Sequence, residues 1–272
     1  MTAVPPPRPR VSVVIPVWND SVFLETCLGA LARQSRPADE IVVVDNNSTD
    51  DSAQVARRHG VRVVEQPVQG IAPASAAGFD AASGDLIARL DADSIPPVDW
   101  LERIEMLAIA AGPLTVITGP GDFYGSGSFA RWAGRNLYLG GFFRLFRLIL
   151  GHYPIFGSNF MMSRELWLRV RGNVHRNHGA IHDDIDLSYQ LEPDMQVQLE
   201  PSLVVGISGR PLASFGAFYR RAFWVRTTLR LDFRDLSPIR RRRLRRAWND
   251  RTGSGASAFA SAAPRTGHRA IR

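Results

Sequence analysis

Arg10 to Val17 (RVSVVIPV) is a nearly unbroken run of β-branched residues, the pattern of a strand buried on both faces. Glu40 to Asp45 (EIVVVD) repeats it, and Val61 to Glu65 and Leu86 to Leu90 supply two further strands. Between the first two, Phe23, Leu24, Cys27, Leu28 and Leu31 recur at helical spacing. They predict a helix capped by Asp20 or Ser21 that runs to about Gln34 and is stopped by Arg36-Pro37. Ser48 or Thr49 is placed to cap a helix over 51–59, and the small-residue stretch 70–82 predicts another. A helix is expected over 97–111 and a strand over 116–119, whereas 121–160 is aromatic and glycine-rich without a clean period. A last helix is expected from Ser214 to Asp232.

Strands alternating with helices through short connections imply an α/β fold with a mostly parallel sheet and right-handed crossovers. Ligands of such sheets bind beyond the carboxyl ends of the strands. Three polar clusters fall there: Trp18-Asn19, Asp45-Asn46, and Asp91 with Asp93. The first strand lacks a following Gly-x-Gly-x-x-Gly, which disfavours a dinucleotide site.

Charge changes the picture at one end of the chain. Residues 1–205 carry 17 Arg against 23 Asp and Glu, while residues 206–272 carry 16 Arg against 3 Asp; there is no lysine. A basic end calls for an anionic partner, and without a nucleic-acid-binding module no nucleic acid is expected. In Leu137 to Leu150 (LYLGGFFRLFRLIL), Arg144 and Arg147 share one face of a helix and the large apolar residues lie elsewhere. This pattern fits a membrane-interfacial helix or a core-packing one. In the last helix Phe218, Ala222, Val225, Leu229 and Phe233 form a stripe beside a row of Arg226, Arg230 and Arg234. No leader and no membrane-spanning run is expected, and the single cysteine, Cys27, excludes an internal disulfide framework.

Candidate chemistry rests on carboxylates. Asp91-Ala92-Asp93 at a strand end suits a divalent cation with oxygen ligands. Asp183 and Asp184 are adjacent, so like-charge proximity favours a raised pKa in one of them, as a general base needs. Asp183, Asp184 and Asp186 also suit the first turn of a helix, and Asp186 is read as a cap or structural anchor. His182 is read as a loop histidine. His175 and His178 have no third ligand at a sensible spacing, so no zinc is expected.

These segments together resemble the family-2 glycosyltransferases, inverting enzymes of the GT-A fold. The likeness runs in order through VSVVIPVWND from Val11, EIVVVDNNSTDDS from Glu40, GDLIARLDADS from Gly84, Pro97 to Leu101, Gly157-Ser158-Asn159 and HDDIDLSYQL from His182. The resemblance implies a GT-A mixed, mostly parallel sheet flanked by helices, over residues 10–212. Around that domain, composition and periodicity predict a disordered lead-in (1–9), an amphipathic helix (213–236) and a basic, disordered tail (237–272). The resemblance further implies that Asp45 reads the nucleobase, that Asp91 sits near the ribose and metal, that Asp93 holds Mn²⁺ or Mg²⁺, and that Asp184 is the catalytic base. Pro16 and Trp18 would join Asp45 and Asp91 around the donor, and Gly157, Asn159 and Asp183 would line the acceptor side. The stretch usually written Glu-Asp-x-Asp is Asp183-Asp184-Ile185-Asp186 here; Ala77, not asparagine, precedes Gly78; and the Gln-x-x-Arg-Trp of processive members is missing. The implied activity is transfer of one sugar from a nucleoside-diphosphate sugar to an acceptor hydroxyl, in the cytoplasm or on the inner face of a membrane with an anionic surface. The alternatives are a non-catalytic nucleotide-sugar or lipid-binding module, and a metal-dependent nucleotidyltransferase. The latter would show a basic Gly-rich loop after the first strand.

Overall fold

The computed structural model describes residues 7–210 and 215–252. Strand β1 (Val11–Val17) is buried along its whole length, because it lies inside the sheet and both of its faces are covered. It pairs in parallel with β2 (Glu40–Asp45) on one side and β4 (Leu86–Arg89) on the other, and β3 (Arg62–Glu65) extends the sheet beyond β2. Beyond β4 lies β7 (Phe160–Ser163), which runs antiparallel to β4 and to its other neighbour, β5 (Thr115–Thr118). Strand β8 (Gln196–Leu199) closes the order β3-β2-β1-β4-β7-β5-β8. A separate parallel pair joins β6 (Gly121–Tyr124) to β9 (Val205–Ser208).

The two faces of the sheet carry separate apolar layers. On one, Val13, Ile15 and Val43 pack with Leu24 and Leu28 of α1 (Ser21–Leu31), Val55 of α2 (Ser52–Arg58) and Leu101 and Ile104 of α4 (Trp100–Ala111). On the other, Val14, Val44 and Ile87 pack with Phe79 of α3 (Ile71–Ala81) and Trp167 of α7 (Arg164–Val170). Each such buried side chain contributes about 1.5–3 kcal/mol over its exposed state. Gly78 lets α3 press onto the sheet, since a Cβ there would lie 2.3 Å from Val14 Cγ1.

Several sequence expectations shift by a few residues. Helix α1 ends at Leu31, before Gln34, because the Gln34 amide turns inward, donating to Pro97 O (2.7 Å) and accepting from Leu101 N (2.9 Å). Asp20 stands at the N-cap of α1 without capping it, its carboxylate being taken by Arg210. Neither Ser48 nor Thr49 caps α2; Asp51 occupies that position, and Ser48 Oγ accepts from Asn19 N instead. The disordered lead-in does not extend to residue 9: Arg8 Nε bonds the buried Glu105 carboxylate (3.0 Å), which also holds Arg36. Residues 1–6 lie outside the described residues.

The segment without a clean period resolves into α5 (Ser128–Ala133), a π-helical stretch (Gly134–Leu139) and α6 (Gly140–Leu150). Phe143, Phe146 and Leu150 of α6 are buried, while Leu145 and Leu148 face outward. Helix α6 therefore packs one face into the core and leaves the other exposed. Phe146 and Leu150 meet Ile185 and Tyr189 of α8 (Asp183–Gln190), and Val225 and Leu229 of α9 (Phe215–Asp235) close over them. The apolar stripe expected on α9 is displaced: Thr228 and Asp232 are buried beside Val225 and Leu229, whereas Phe233 is exposed.

The tail expected to be disordered from residue 237 is helical over α10 (Pro238–Thr252). Arg241 and Arg245, one turn apart, point inward. Arg241 donates to the carbonyls of Leu150 (2.7 Å), Tyr189 (2.9 Å) and Ser188 (2.9 Å), and Arg245 to that of Met195 (2.6 Å). The ends of α6 and α8 thus find donors for carbonyls that have no partner in their own helices. Residues 253–272 of that expected tail, and 211–214 before α9, lie outside the described residues. Among the described residues no helix is long and apolar enough to cross a membrane.

His152 completes this dock. Its Nδ1–H donates to Tyr153 O (2.7 Å) and its Nε2 accepts from Arg241 (3.0 Å), an arrangement open only to the neutral ring. Burial, with Arg245 and Arg241 beside it, holds the imidazole pKa well below its ordinary value. Below about pH 6.5 the unfolded chain therefore binds a proton that the folded chain refuses, and stability falls as pH falls. The change in urea midpoint between pH 7.5 and 5.5 should therefore differ between wild type and His152→Gln, the wild type losing more, or gaining less, on acidification.

Candidate active site

Because β1, β2 and β4 are parallel, their carboxyl ends open on one edge. Asn19, just past β1, has a positive φ of 51° and accepts through Oδ1 from Thr49 N (2.7 Å), tying the ends of β1 and β2 together. Asp45 ends β2 and is half-buried; its Oδ1 accepts from Ser48 N (3.1 Å), an Asx-type turn. Asn46 donates to Val68 O (2.7 Å) and accepts from Gly70 N (2.7 Å), which latches the next loop beside it. Trp18 stands out from the edge, 55% exposed.

The centre of the edge is organised by a residue that the sequence reading passed over. Arg89, last in β4, is 2% exposed and sits among carboxylates. Its Nη2 donates to Asp91 Oδ1 (2.8 Å) and lies 3.4 Å from Asp183 Oδ2. The charges of Asp183, Asp91 and Asp184 oppose the cost of burial and leave the guanidinium pKa raised. Arg89 Nε has no partner. The signal for Arg89 was present, since an arginine inside an apolar strand two residues before an aspartate shares that aspartate's face.

Asp91 also accepts from the Ser158 hydroxyl through Oδ2, with a short contact. Asp93 lies opposite Arg210, whose Nη2 is 3.2 Å from Asp93 Oδ2 and whose Nη1 is 2.6 Å from Asp20 Oδ1. Burial first, and the charge of Asp91 second, push the Asp93 carboxyl up to about 6 despite Arg210. Tyr124 donates to Asp93 O (2.8 Å), which links the small sheet to this turn.

Helix α8 delivers the second carboxylate pair to the same place. Asp183 accepts from Ser75 Oγ (2.6 Å) on α3. Asp184 accepts from Gly157 N (3.0 Å) and, through its other oxygen, from Ile185 N (2.8 Å). Burial, reinforced by the neighbouring charge of Asp183, raises the Asp184 pKa. His182 lies beside it with its ring edge-on to Trp224 and a buried Nε2 that has no partner. The geometry therefore brings Asp91, Asp183, Asp184 and Gly157 together around Arg89, with Asp93 two residues beyond Asp91 and Asp45 on the same edge. The side chains of two further expected site residues are turned into the fold. Pro16 is buried within β1 opposite Val44. Asn159 is fully buried, and its amide accepts from Trp100 Nε1 (2.9 Å) and donates to Leu203 O (2.6 Å). Asp186 is a buried anchor, as expected, accepting from His175 N (2.8 Å).

This mixed sheet, with carboxylate pairs gathered at its open edge, has the architecture of the GT-A glycosyltransferases. A mannosyltransferase from Pyrobaculum calidifontis, solved with GDP-Man and Mn²⁺, superposes with a TM-score of 0.62 at 22% identity, covering 93% of this chain and 77% of that one. Glucosyl-3-phosphoglycerate synthase from Mycobacterium tuberculosis, solved with Mn²⁺, UDP and glucosyl-3-phosphoglycerate, gives 0.54 at 22% identity over 81% and 78% of the two chains. The model of glycosyl transferase family 2 matches residues 12–170, and the chain belongs to that family. Glycosyltransferase AglE of Haloferax volcanii is 37% identical over 103 residues, 35% of this chain and 34% of AglE. An uncharacterised glycosyltransferase of Mycobacterium tuberculosis is 45% identical over 83 residues, 30% of this chain and 36% of the relative. The matched segments thus span about a third of the length of these curated relatives.

A Cβ at Gly157 would lie 2.1 Å from Arg89 Nη1 and 3.2 Å from Asp184 Oδ2. Gly157→Ala should therefore displace the guanidinium and lower the unfolding free energy by about 1–3 kcal/mol. Arg89→Met should cost about 3–5 kcal/mol by leaving buried carboxylates without their cation. In a denaturation cycle the double variant should lose clearly less than the two single losses added together. Strict additivity would show that the two residues do not share a contact.

Proposed function

We propose that this chain transfers a single hexose from a nucleoside-diphosphate sugar to an acceptor hydroxyl, inverting the anomeric carbon in one displacement. The observation that carries this reading is the joining, through Arg89, of a strand-end carboxylate pair to a second pair on α8. The two solved structures described above, one with GDP-Man and one with UDP, support it by likeness of fold. In this reading Asp45 reads the nucleobase, Asp91 lies at the ribose and metal, and Arg210 brings a cation to the diphosphate side.

Asp93 and Asp91 fit a divalent ion such as Mn²⁺ or Mg²⁺. They offer hard oxygen ligands at the strand-end edge, and the Asp93 pKa, raised first by burial and then by the charge of Asp91, shows a carboxylate that a bound cation would favour in its ionised form. Such an ion, when bound, stabilises charge on the departing diphosphate. Asp184 takes the acceptor proton. Its raised pKa makes it a stronger base than an exposed aspartate, and the Gly157 and Ile185 amides fix its orientation. Asp183, held by Ser75 and Arg89, keeps that pKa up without taking the proton itself.

Asp184→Asn should lower transfer by about 10²–10⁴-fold, the usual worth of a general base, while calorimetric binding of UDP- or GDP-hexose with Mn²⁺ stays within a few-fold of wild type. Asp93→Ala should weaken that binding itself. A wild-type chain that neither transfers nor hydrolyses any UDP- or GDP-hexose with Mn²⁺ present sinks the reading.

The acceptor in this proposal is a glycolipid or envelope glycan presented at the inner, anionic face of a membrane, where the chain binds peripherally. Phe129, Trp132, Leu137, Leu145 and Leu148 project to solvent beside the exposed Arg144 and Arg147, an apolar surface edged with cations. Co-sedimentation with vesicles containing phosphatidylglycerol should be lost in Trp132→Ser/Leu148→Ser, and neutral vesicles should retain little of the wild type. Equal retention by both vesicle types removes the membrane part of the proposal and leaves the chemistry standing.

A further inference from the structure

Away from the donor edge, three potential ligands converge from distant parts of the chain. They are His175 from the connection between α7 and α8, Asp186 from α8 and Asp232 from α9. One ligand-type atom of each lies within 4.8 Å of those of the other two. His175 Nδ1 is 2.7 Å from Asp186 Oδ1 and 3.6 Å from Asp232 Oδ1, and its Nε2 is 3.3 Å from Asp235 Oδ2.

Asp186 and Asp232 are 1% and 0% exposed. The described residues place no arginine within ion-pairing distance of either. Gln190 Nε2 reaches Asp232 Oδ1 (3.1 Å), but Asp232 Oδ2 is buried and no donor meets it. Two carboxylates packed together out of water, one with an orphaned oxygen, are costly unless a cation or a shared proton joins them. The half-buried imidazole at their rim adds a nitrogen ligand and leaves an approach from solvent, where Asp235 is exposed. One nitrogen with two or three carboxylate oxygens is a donor set suited to zinc, which also outcompetes Mn²⁺ at such sites.

We propose that His175, through Nδ1, and Asp186 and Asp232 form a second divalent-cation site of zinc type, separate from the donor edge, with Asp235 outside it as the partner of the His175 Nε2–H. Bound there, the ion fastens α9 to α8, the helix that carries Asp183 and Asp184. The site is independent of the proposed reaction, because none of its ligands belongs to the donor or base set.

The test uses the untagged full chain carrying Asp93→Asn, which disables the donor-edge pair, stripped with EDTA and then dialysed free of it. Titration with ZnCl₂ in a calorimeter should give one ion per chain and raise the melting temperature. Adding His175→Gln or Asp232→Asn should weaken binding by at least about tenfold and abolish the thermal shift. Circular dichroism checks that each variant is folded. Should a variant fail to fold, zinc-edge X-ray absorption of the loaded Asp93→Asn chain decides, a nitrogen-and-oxygen shell supporting the site and an all-oxygen shell overturning it. No zinc uptake by the stripped chain, or unchanged uptake in both folded variants, also overturns the site and leaves a proton shared between Asp186 and Asp232.

Discussion

A guanidinium enclosed by aspartates holds the functional edge of this protein together. Arg89 is buried at the end of a central strand, and its cost of desolvation is met only because Asp91, Asp183 and Asp184 surround it. The reverse holds as well, since these carboxylates would repel one another without the arginine between them. Breaking such a group from either side leaves uncompensated buried charge, so it behaves as one unit. That unit spans β4 and α8, elements about 90 residues apart in the chain, and fixes how far the two carboxylate pairs stand from each other.

The same logic recurs where the basic end meets the rest of the fold. Most arginines of α10 face water, but Arg241 and Arg245 enter the protein and meet carbonyls instead of acids. Arg241 meets the ends of α6 and α8, and Arg245 the turn just after α8, so the C-terminal helices brace the helix that presents Asp183 and Asp184. The charge asymmetry is therefore partly structural and partly surface.

Most of the sheet was legible in the sequence because buried parallel strands leave runs such as Arg10 to Val17 that few other structures produce. The candidate aspartates were legible for the same reason: each follows a recognisable strand or opens a recognisable helix. What escaped reading depended on contacts between distant segments. Arg89 looked like one more arginine until Asp183 came within reach, and Asn159 looked like a site residue until Trp100 and Leu203 claimed its amide. His175 seemed to lack ligand partners because Asp186 and Asp232 lie 11 and 57 positions further along. The tail read as disordered because composition alone does not reveal that two of its arginines have a dock.

The reversed strand β7 has a consequence for how this scaffold can diversify. Strand β5 ends beside the start of β7, with Thr118 paired to Phe160, so residues 119–159 leave the sheet and return to it at one edge. That excursion includes α5, α6 and their exposed aromatic surface. Between β6 and the end of α6 it takes no part in either sheet, so its length there is uncoupled from strand register, and doubling a flexible connection costs only about 0.6 kcal/mol of closure entropy. Insertions and replacements there can remodel what approaches the site while Asp45, Asp91 and Asp93 keep their places. The topology separates a fixed half from an exchangeable one, a division along which the surroundings of the edge can change without refolding the core.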